Sequence, residues 1–277
     1  MSRLSVVRMC AGLVTIAVLL VVAGCSAHDP TPAPTVQSGA VPLSQSLEHL
    51  HGLAVDPADG AVYAGTHNGI WLVNPNTGAI KLVGESRDDY MGFTAAGPGR
   101  FMASGHPAPG SDAPNPVGLI ESADSGKTWQ TIGLEGQVDF HVMAVSGSQV
   151  AAWSDGTGLQ LSEDGGQSWR NGPDVQPSAM AWFDDVLWMT TGQGLVTLAP
   201  GDSVAAAPAG SPDLAAAATA SDGSRLWGIA SDGSVWSSSD GREWVQDGAI
   251  AAAEAFAAAD NDTAYVMTAD SIKTIQR

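Results

Sequence analysis

Five histidines, His49, His51, His67, His106 and His141, lie between residues 49 and 141, and none follows them. A sixth, His28, stands apart in a Pro-rich stretch. Met91 and Asp139 fall among the five. Imidazoles beside a methionine suit copper, and imidazoles beside a carboxylate suit zinc. A single histidine hydrogen-bonded to a loop is the ordinary alternative for any one of them. Clustering of the whole set points to a metal or polar ligand. The candidate ligand residues are therefore His49, His51, His67, Met91, His106, Asp139 and His141, with Cu or Zn as the candidate ion.

Such a set needs elements that bring it to one place. Short apolar runs begin at His51, Met91, His141, Ala179, Ala215 and Ala255, at spacings of 40, 50, 38, 36 and 40 residues. Each is followed by a second run, as at Ala61–Gly65 and Arg100–Ser104, and a third, as at Gly69–Val73 and Gly118–Ser122. Three or four strands per period of about 40 residues is the pattern of propeller blades. The expectation is an all-β protein, a six-bladed β-propeller with seven blades as the alternative count. Val41–Leu47 precedes the first unit and should complete the last blade, removing a free sheet edge. The Ala-rich runs Leu214–Ala220 and Ala249–Ala259 favour helix by composition but fall where the repeat asks for strand.

In a propeller the first strand of each blade starts at the top of the central channel. The turn between second and third strands lies at the same end. His51, Met91 and His141 stand at first-strand starts, and His49 shares an extended face with His51. His67 and His106 fall in second-to-third turns. Asp139 and Asp155 map to this end as well. The Pro/Gly-rich insert Gly105–Pro116 lies over it and could form a lid.

The most specific motif is Ser122-x-Asp124-x-Gly126-x-Thr128-Trp129, repeated as Ser162-x-Asp164-x-Gly166-x-Ser168-Trp169 and shortened as Ser238-Ser-Asp240-Gly-Arg-Glu-Trp244. The Asp accepts hydrogen bonds from turn N–H groups, and Gly takes backbone angles that a Cβ forbids. The Trp packs between sheets. Asp124, Gly126, Trp129, Asp164, Gly166, Trp169, Asp240 and Trp244 thus read as structural staples between third and fourth strands, away from any ligand site.

These motifs resemble the Asp-box, or BNR-repeat, proteins, a group that includes sialidases, other glycosidases, photosystem assembly factors and sortilin-like receptors. The segments His49-Leu-His51-Gly-Leu-Ala-Val-Asp-Pro, Thr66-His67-Asn-Gly, Tyr90-Met91-Gly-Phe and Ala103-Ser-Gly-His106-Pro look like bacterial lipoproteins labelled sialidase-like or glycosyl hydrolase. That resemblance spans about residues 48 to 170 and implies glycoside hydrolysis. Repeats do not fix an activity, however. Sialidase chemistry needs three arginines on the substrate carboxylate and a Tyr–Glu nucleophile. After the first 24 residues only Arg87, Arg100, Arg170, Arg225, Arg242 and Arg277 remain, and of the tyrosines only Tyr90 falls near the channel. Another glycosidase would need two suitably spaced carboxylates, with Glu48, Asp89, Asp139 and Asp155 available. The residues favour a binding protein over an enzyme, and a protein-interaction or assembly scaffold is the third reading.

The N-terminus reads as an export signal. Arg3 and Arg8 precede the apolar run Met9–Val22, and Val22-Ala23-Gly24-Cys25 forms a lipobox. The run is shorter than the roughly 20 residues of a membrane span. Residues 1–24 form the expected signal peptide, Cys25 the lipid-modified mature terminus, 25–40 a disordered Pro/Ser/Thr-rich tether and 41–277 the propeller. The expected place is the outer face of the cell membrane, held through lipid alone, as a monomer. With Arg3 and Arg8 removed, nine basic residues face 29 acidic ones, a net charge of −20. Nucleic acid is excluded as a partner, because phosphate binding needs clustered Lys and Arg. A metal ion, a glycan or another small ligand remains.

Overall fold

The computed structural model of the chain describes residues 39–277, except Val204 and Ala207. The expected signal peptide, Cys25 and the tether up to residue 38 lie outside the described residues. Those residues form 23 strands and no helix.

A short strand β1 (Val41–Pro42) leads into six antiparallel sheets. The first blade is β2 (Leu50–Val55), β3 (Val62–Thr66), β4 (Gly69–Val73) and β5 (Ile80–Val83). The second is β6 (Asp89–Gly97), β7 (Arg100–His106), β8 (Leu119–Ser122) and β9 (Gln130–Gly133). The third is β10 (Val142–Ser146), β11 (Gln149–Ser154), β12 (Gly158–Ser162) and β13 (Arg170–Asn171). The fourth has three strands, β14 (Pro177–Phe183), β15 (Val186–Thr191) and β16 (Gly194–Leu198). The fifth is β17 (Leu214–Thr219), β18 (Leu226–Ala230), β19 (Ser234–Ser238) and β20 (Val245–Ala249). The sixth is β21 (Ala255–Ala258), β22 (Thr263–Thr268) and β23 (Ser271–Gln276), and β1 supplies its outer strand.

This is the six-bladed propeller that the repeat predicts. Each inner strand packs on the next, β2 on β6, β6 on β10, β10 on β14, β14 on β17, β17 on β21, and β21 back on β2. The ring is closed by Val41, which pairs with Ile272, and by the backbone N–H groups of Leu43 and Leu47, which donate to Asp270 and Ala269. Leu47 then buries its side chain between the last blade and the first.

Stability comes from six apolar clusters, one between each pair of neighbouring sheets. Middle strands therefore bury both faces, as β3 does along its whole length. The Ala-rich runs resolve in the same terms. Leu214–Thr219 is strand, but within Ala249–Ala259 only Ala255–Ala258 is, with Ala249 ending β20. Ala216, Ala217, Ala218 and Ala257 line the channel. Six inner strands converge there, so small side chains fit and tertiary packing overrides helix propensity.

The Asp-box turns lie between third and fourth strands, as their residue types require. Ser122 Oγ accepts the Gly126 N–H at 2.8 Å and donates to Asp124, whose carboxylate takes both the N–H and the hydroxyl of Thr128. Ser162, Asp164, Gly166 and Ser168 repeat this pattern. The Ser168 hydroxyl is the main cause holding the exposed Asp164 carboxyl down at about 2. The Trp129 and Trp169 Nε1–H groups donate to the carbonyls of Gly126 and Gly166, and their rings pack on Tyr90 and Phe140.

Candidate functional site

The starts of the inner strands and the turns between second and third strands share one end of the ring. That end carries the histidines. Local geometry aims them. Pairing between β2 and β3 shifts register between Leu50 and Gly52, so His51 occupies a bulge, which turns a side chain away from regular alternation. His49, just upstream, has a left-handed backbone, φ 49°. Its carbonyl accepts the N–H of His67 at 3.2 Å, pinning the β3–β4 turn against the entry to β2.

The second blade brings the carboxylate. Gly52 and Gly65 have no side chain where Phe93 of β6 lies; a Cβ would stand 2.7 Å from the Phe93 carbonyl oxygen at Gly52 and 2.6 Å from its Cβ at Gly65. This close approach seats β6 on the first blade and delivers Asp89 to the two imidazoles. Asp89 Oδ1 is 3.0 Å from His51 Nε2, and Oδ2 is 2.8 Å from His67 Nδ1. One donor atom from each of the three residues lies within 4.8 Å of the other two. The rings of His49 and His51 stand 5.5 and 6.0 Å from that of His67.

The Asp89 side chain is only 10 % exposed. Burial alone pushes its carboxyl up. The contact with His51, and the charges of His51, His67 and His106, outweigh burial and hold it below the ordinary carboxylate range. Although 3.0 Å apart, His51 Nε2 and Asp89 Oδ1 are not aligned as a hydrogen bond; both are buried and neither has another partner. Buried polar atoms are nearly always satisfied, so this pair is the least settled point of the cluster.

A second group adjoins the first. Asp139 Oδ2 lies 2.9 Å from His141 Nε2, which donates to it, and 3.2 Å from His106 Nε2. Asp139 Oδ1 is buried without a partner. His106 pairs in register with Asp89 across β6 and β7, so it connects the groups. Its Nδ1 contacts Asn115 Oδ1 at 2.7 Å, and the Ala108 N–H donates to Asp88. The Gly105–Pro116 insert is thus anchored at the edge of the site. His51 and His141 also line the channel, a cavity of about 470 Å³.

The structure therefore brings His51 and His67 to one carboxylate, with the His49 ring beside that of His67, and His106 and His141 to another. Met91 is half-buried on β6 opposite Ser104. Asp155 and Glu48 are exposed. The decisive residue is Asp89, which the sequence offers only as one available acid among several. Its position at the start of the second inner strand was the signal for it. The arginines are dispersed: Arg87 bonds backbone carbonyls, Arg100 pairs with Glu121, Arg170 with Glu163 and Arg277 with Asp247, while Arg225 bonds Asn261 and Ser237. No sialidase-type arginine triad forms among the described residues.

No family model and no curated protein sequence matches the chain. Solved structures do. A protein of unknown function from Bacteroides thetaiotaomicron matches at 9 % identity over 88 % of this chain and 73 % of its own, with a TM-score of 0.60. YCF48 from Cyanidioschyzon merolae matches at 12 % identity over 86 % of this chain and 98 % of its own, and YCF48 bound to D1 peptide at 13 % over 88 % and 84 %, each with a TM-score of 0.50. A GH74 xyloglucanase from Xanthomonas campestris, 16 % identical over 87 % and 49 %, reaches a TM-score of 0.49 and carries no weight. At these identities the likeness speaks for the propeller fold alone.

Proposed function

We propose that this protein is a binding propeller whose channel mouth takes one transition-metal ion through His51, His67 and Asp89. The observation that carries this reading is the triplet of His51, His67 and Asp89 with donor atoms within 4.8 Å of one another, where the buried His51 Nε2 and Asp89 Oδ1 have no hydrogen-bond partner. Zinc at about 2.0–2.1 Å from tetrahedral ligands sets those ligands about 3.3 Å apart. The contacts of 3.0 and 2.8 Å are to different oxygens of Asp89, and the three donor atoms lie within 4.8 Å of one another, so an ion would draw the two imidazoles together around the carboxylate. Two imidazoles and a carboxylate, without sulfur, favour zinc over copper. Three protein ligands leave a fourth position for water or a ligand from the channel.

In the same proposal the chain is exported and lipid-anchored at Cys25, on the outer face of the membrane. Incorporation of an alkyne-tagged palmitate, abolished by Cys25→Ala, tests the anchor. The metal reading is tested on protein stripped with chelator and titrated with Zn²⁺ and Cu²⁺. One ion per chain is expected. At a hundredfold excess over Kd the gain of about 2.7 kcal/mol raises Tm by about 5–10 °C for a chain of this size. Absence of stoichiometric binding, with Tm unchanged by either ion, overturns it.

A scaffold role is the second reading, favoured by the fold shared with YCF48, which is seen bound to a D1 peptide. The glycosidase reading has less support. Asp89 and Asp139 are the sequestered carboxylates of this end, and each is held by two imidazoles.

A further inference from the structure

We propose a second binding site, for a neutral oligosaccharide, in the cleft beside Trp236 and Trp244 of the fifth blade. It stands on observations independent of the metal centre. The cleft holds about 450 Å³ and is walled by Trp236, Trp244, Pro212, Asp213, Ser231 and Asp232. Its origin lies in the repeat. Every other blade has four strands; in the fourth, among the described residues, the outer edge of β16 is met by a single antiparallel bridge between Thr197 and Ala206. Trp236 and Trp244 of the fifth blade pack as half-buried rings at the edge of the cluster shared with the fourth blade.

The shortened Asp box gives the cleft its chemistry. In the full boxes the Trp N–H is tied to a glycine carbonyl of its own turn. The shortened turn still bonds through Asp240 to the N–H groups of Arg242 and Glu243. Yet Trp244 Nε1 reaches no acceptor and is buried, and so is Nε1 of Trp188, whose ring meets that of Trp244 at 6.2 Å. Trp244 thus keeps its ring packed against the cluster between the fourth and fifth blades but carries an N–H that lacks an acceptor.

Half-buried indoles, an unanswered N–H and two exposed carboxylates fit one ligand class. The apolar C–H face of a pyranose packs on an aromatic plate. Its hydroxyls donate to Asp213 and Asp232, and a hydroxyl oxygen accepts from Trp244 once the ring turns toward the cleft. A quaternary ammonium ion would suit the rings and carboxylates but offers nothing to the N–H. The surrounding negative charge, −18 over the whole chain, disfavours acidic sugars. The volume lies within the range of small-ligand pockets, roughly 300–1,000 Å³.

The test titrates the whole exported protein with xylohexaose, cellohexaose and maltohexaose, read by tryptophan fluorescence and calorimetry, with choline as the competing class. Saturable binding of at least one oligosaccharide is expected, weakened about tenfold or more by Trp236→Ala, as loss of one dominant contact implies. Asp213→Ala, at an exposed position, should weaken it without changing Tm, and decides the matter if Trp236→Ala does not fold. His67→Ala should leave sugar affinity unchanged, so failure of the metal reading and failure of this one are told apart. The proposal is overturned if none of the three sugars binds at millimolar concentration, if choline binds in their place, or if Asp213→Ala leaves affinity intact.

Discussion

Nε2 of His51 and Oδ1 of Asp89 face each other at 3.0 Å, both buried, without the alignment of a hydrogen bond. They come from different blades, so the contact exists only because β6 packs on β2. His67 reaches the other oxygen of the same carboxylate, whereas the ring of His49 stands 5.5 Å from that of His67.

On the proposed zinc reading, that difference separates ligands from neighbours. His67→Ala should weaken zinc binding by more than the roughly tenfold that losing a supporting hydrogen bond costs. His49→Ala should change it by less than about threefold, in keeping with a position outside the ligand set. Competition titration against a chromogenic chelator reads both. Equal losses in the two variants would place His49 among the ligands and refute the assignment.

The box aspartates make stability depend on acid. The folded carboxyl of Asp164 lies near 2, below the ordinary 3.8, because hydrogen bonds from Ser168 and Ser162 favour its charged form. A depressed folded value means that this contribution is present above pH 3.8 and is lost as pH falls toward 2. Asp164→Ala should therefore show a shallower fall of the urea midpoint between those limits than the wild type. Superimposable midpoint-against-pH curves would show that Asp164 contributes nothing through its charge.

Ring closure rests on few residues. Leu47 is 3 % exposed and joins the cluster shared by the sixth and first blades. Leu47→Ala removes buried methyl groups and leaves a cavity, at a cost of about 2–4 kcal/mol, or roughly 5–15 °C in Tm for a domain of this size. Denaturant unfolding measures it. A cost under about 0.5 kcal/mol, the size of an ordinary surface substitution, would mean that the closing segment does not hold the ring.

The blade repeat, the place of the box turns and the closing strand were all legible in the residues, because each rests on local patterns. Alternating apolar runs set the strands, Gly and Asp set the turns, and an unmatched N-terminal run had one free edge to join. The convergence of the histidines also followed, once the repeat assigned them to one end of the channel. The tertiary structure alone decided which carboxylate they meet. Asp89 reaches His51 through a bulge in β2 and through the packing of Phe93 where Gly52 and Gly65 lack side chains. It alone decided, too, that among the described residues the fourth blade has three strands and that Trp244 is left without its turn acceptor. Those contacts join residues of different blades or depend on how a shortened turn sets its ring. Spacing along a chain specifies the blade, and only the closed ring specifies what one blade presents to the next.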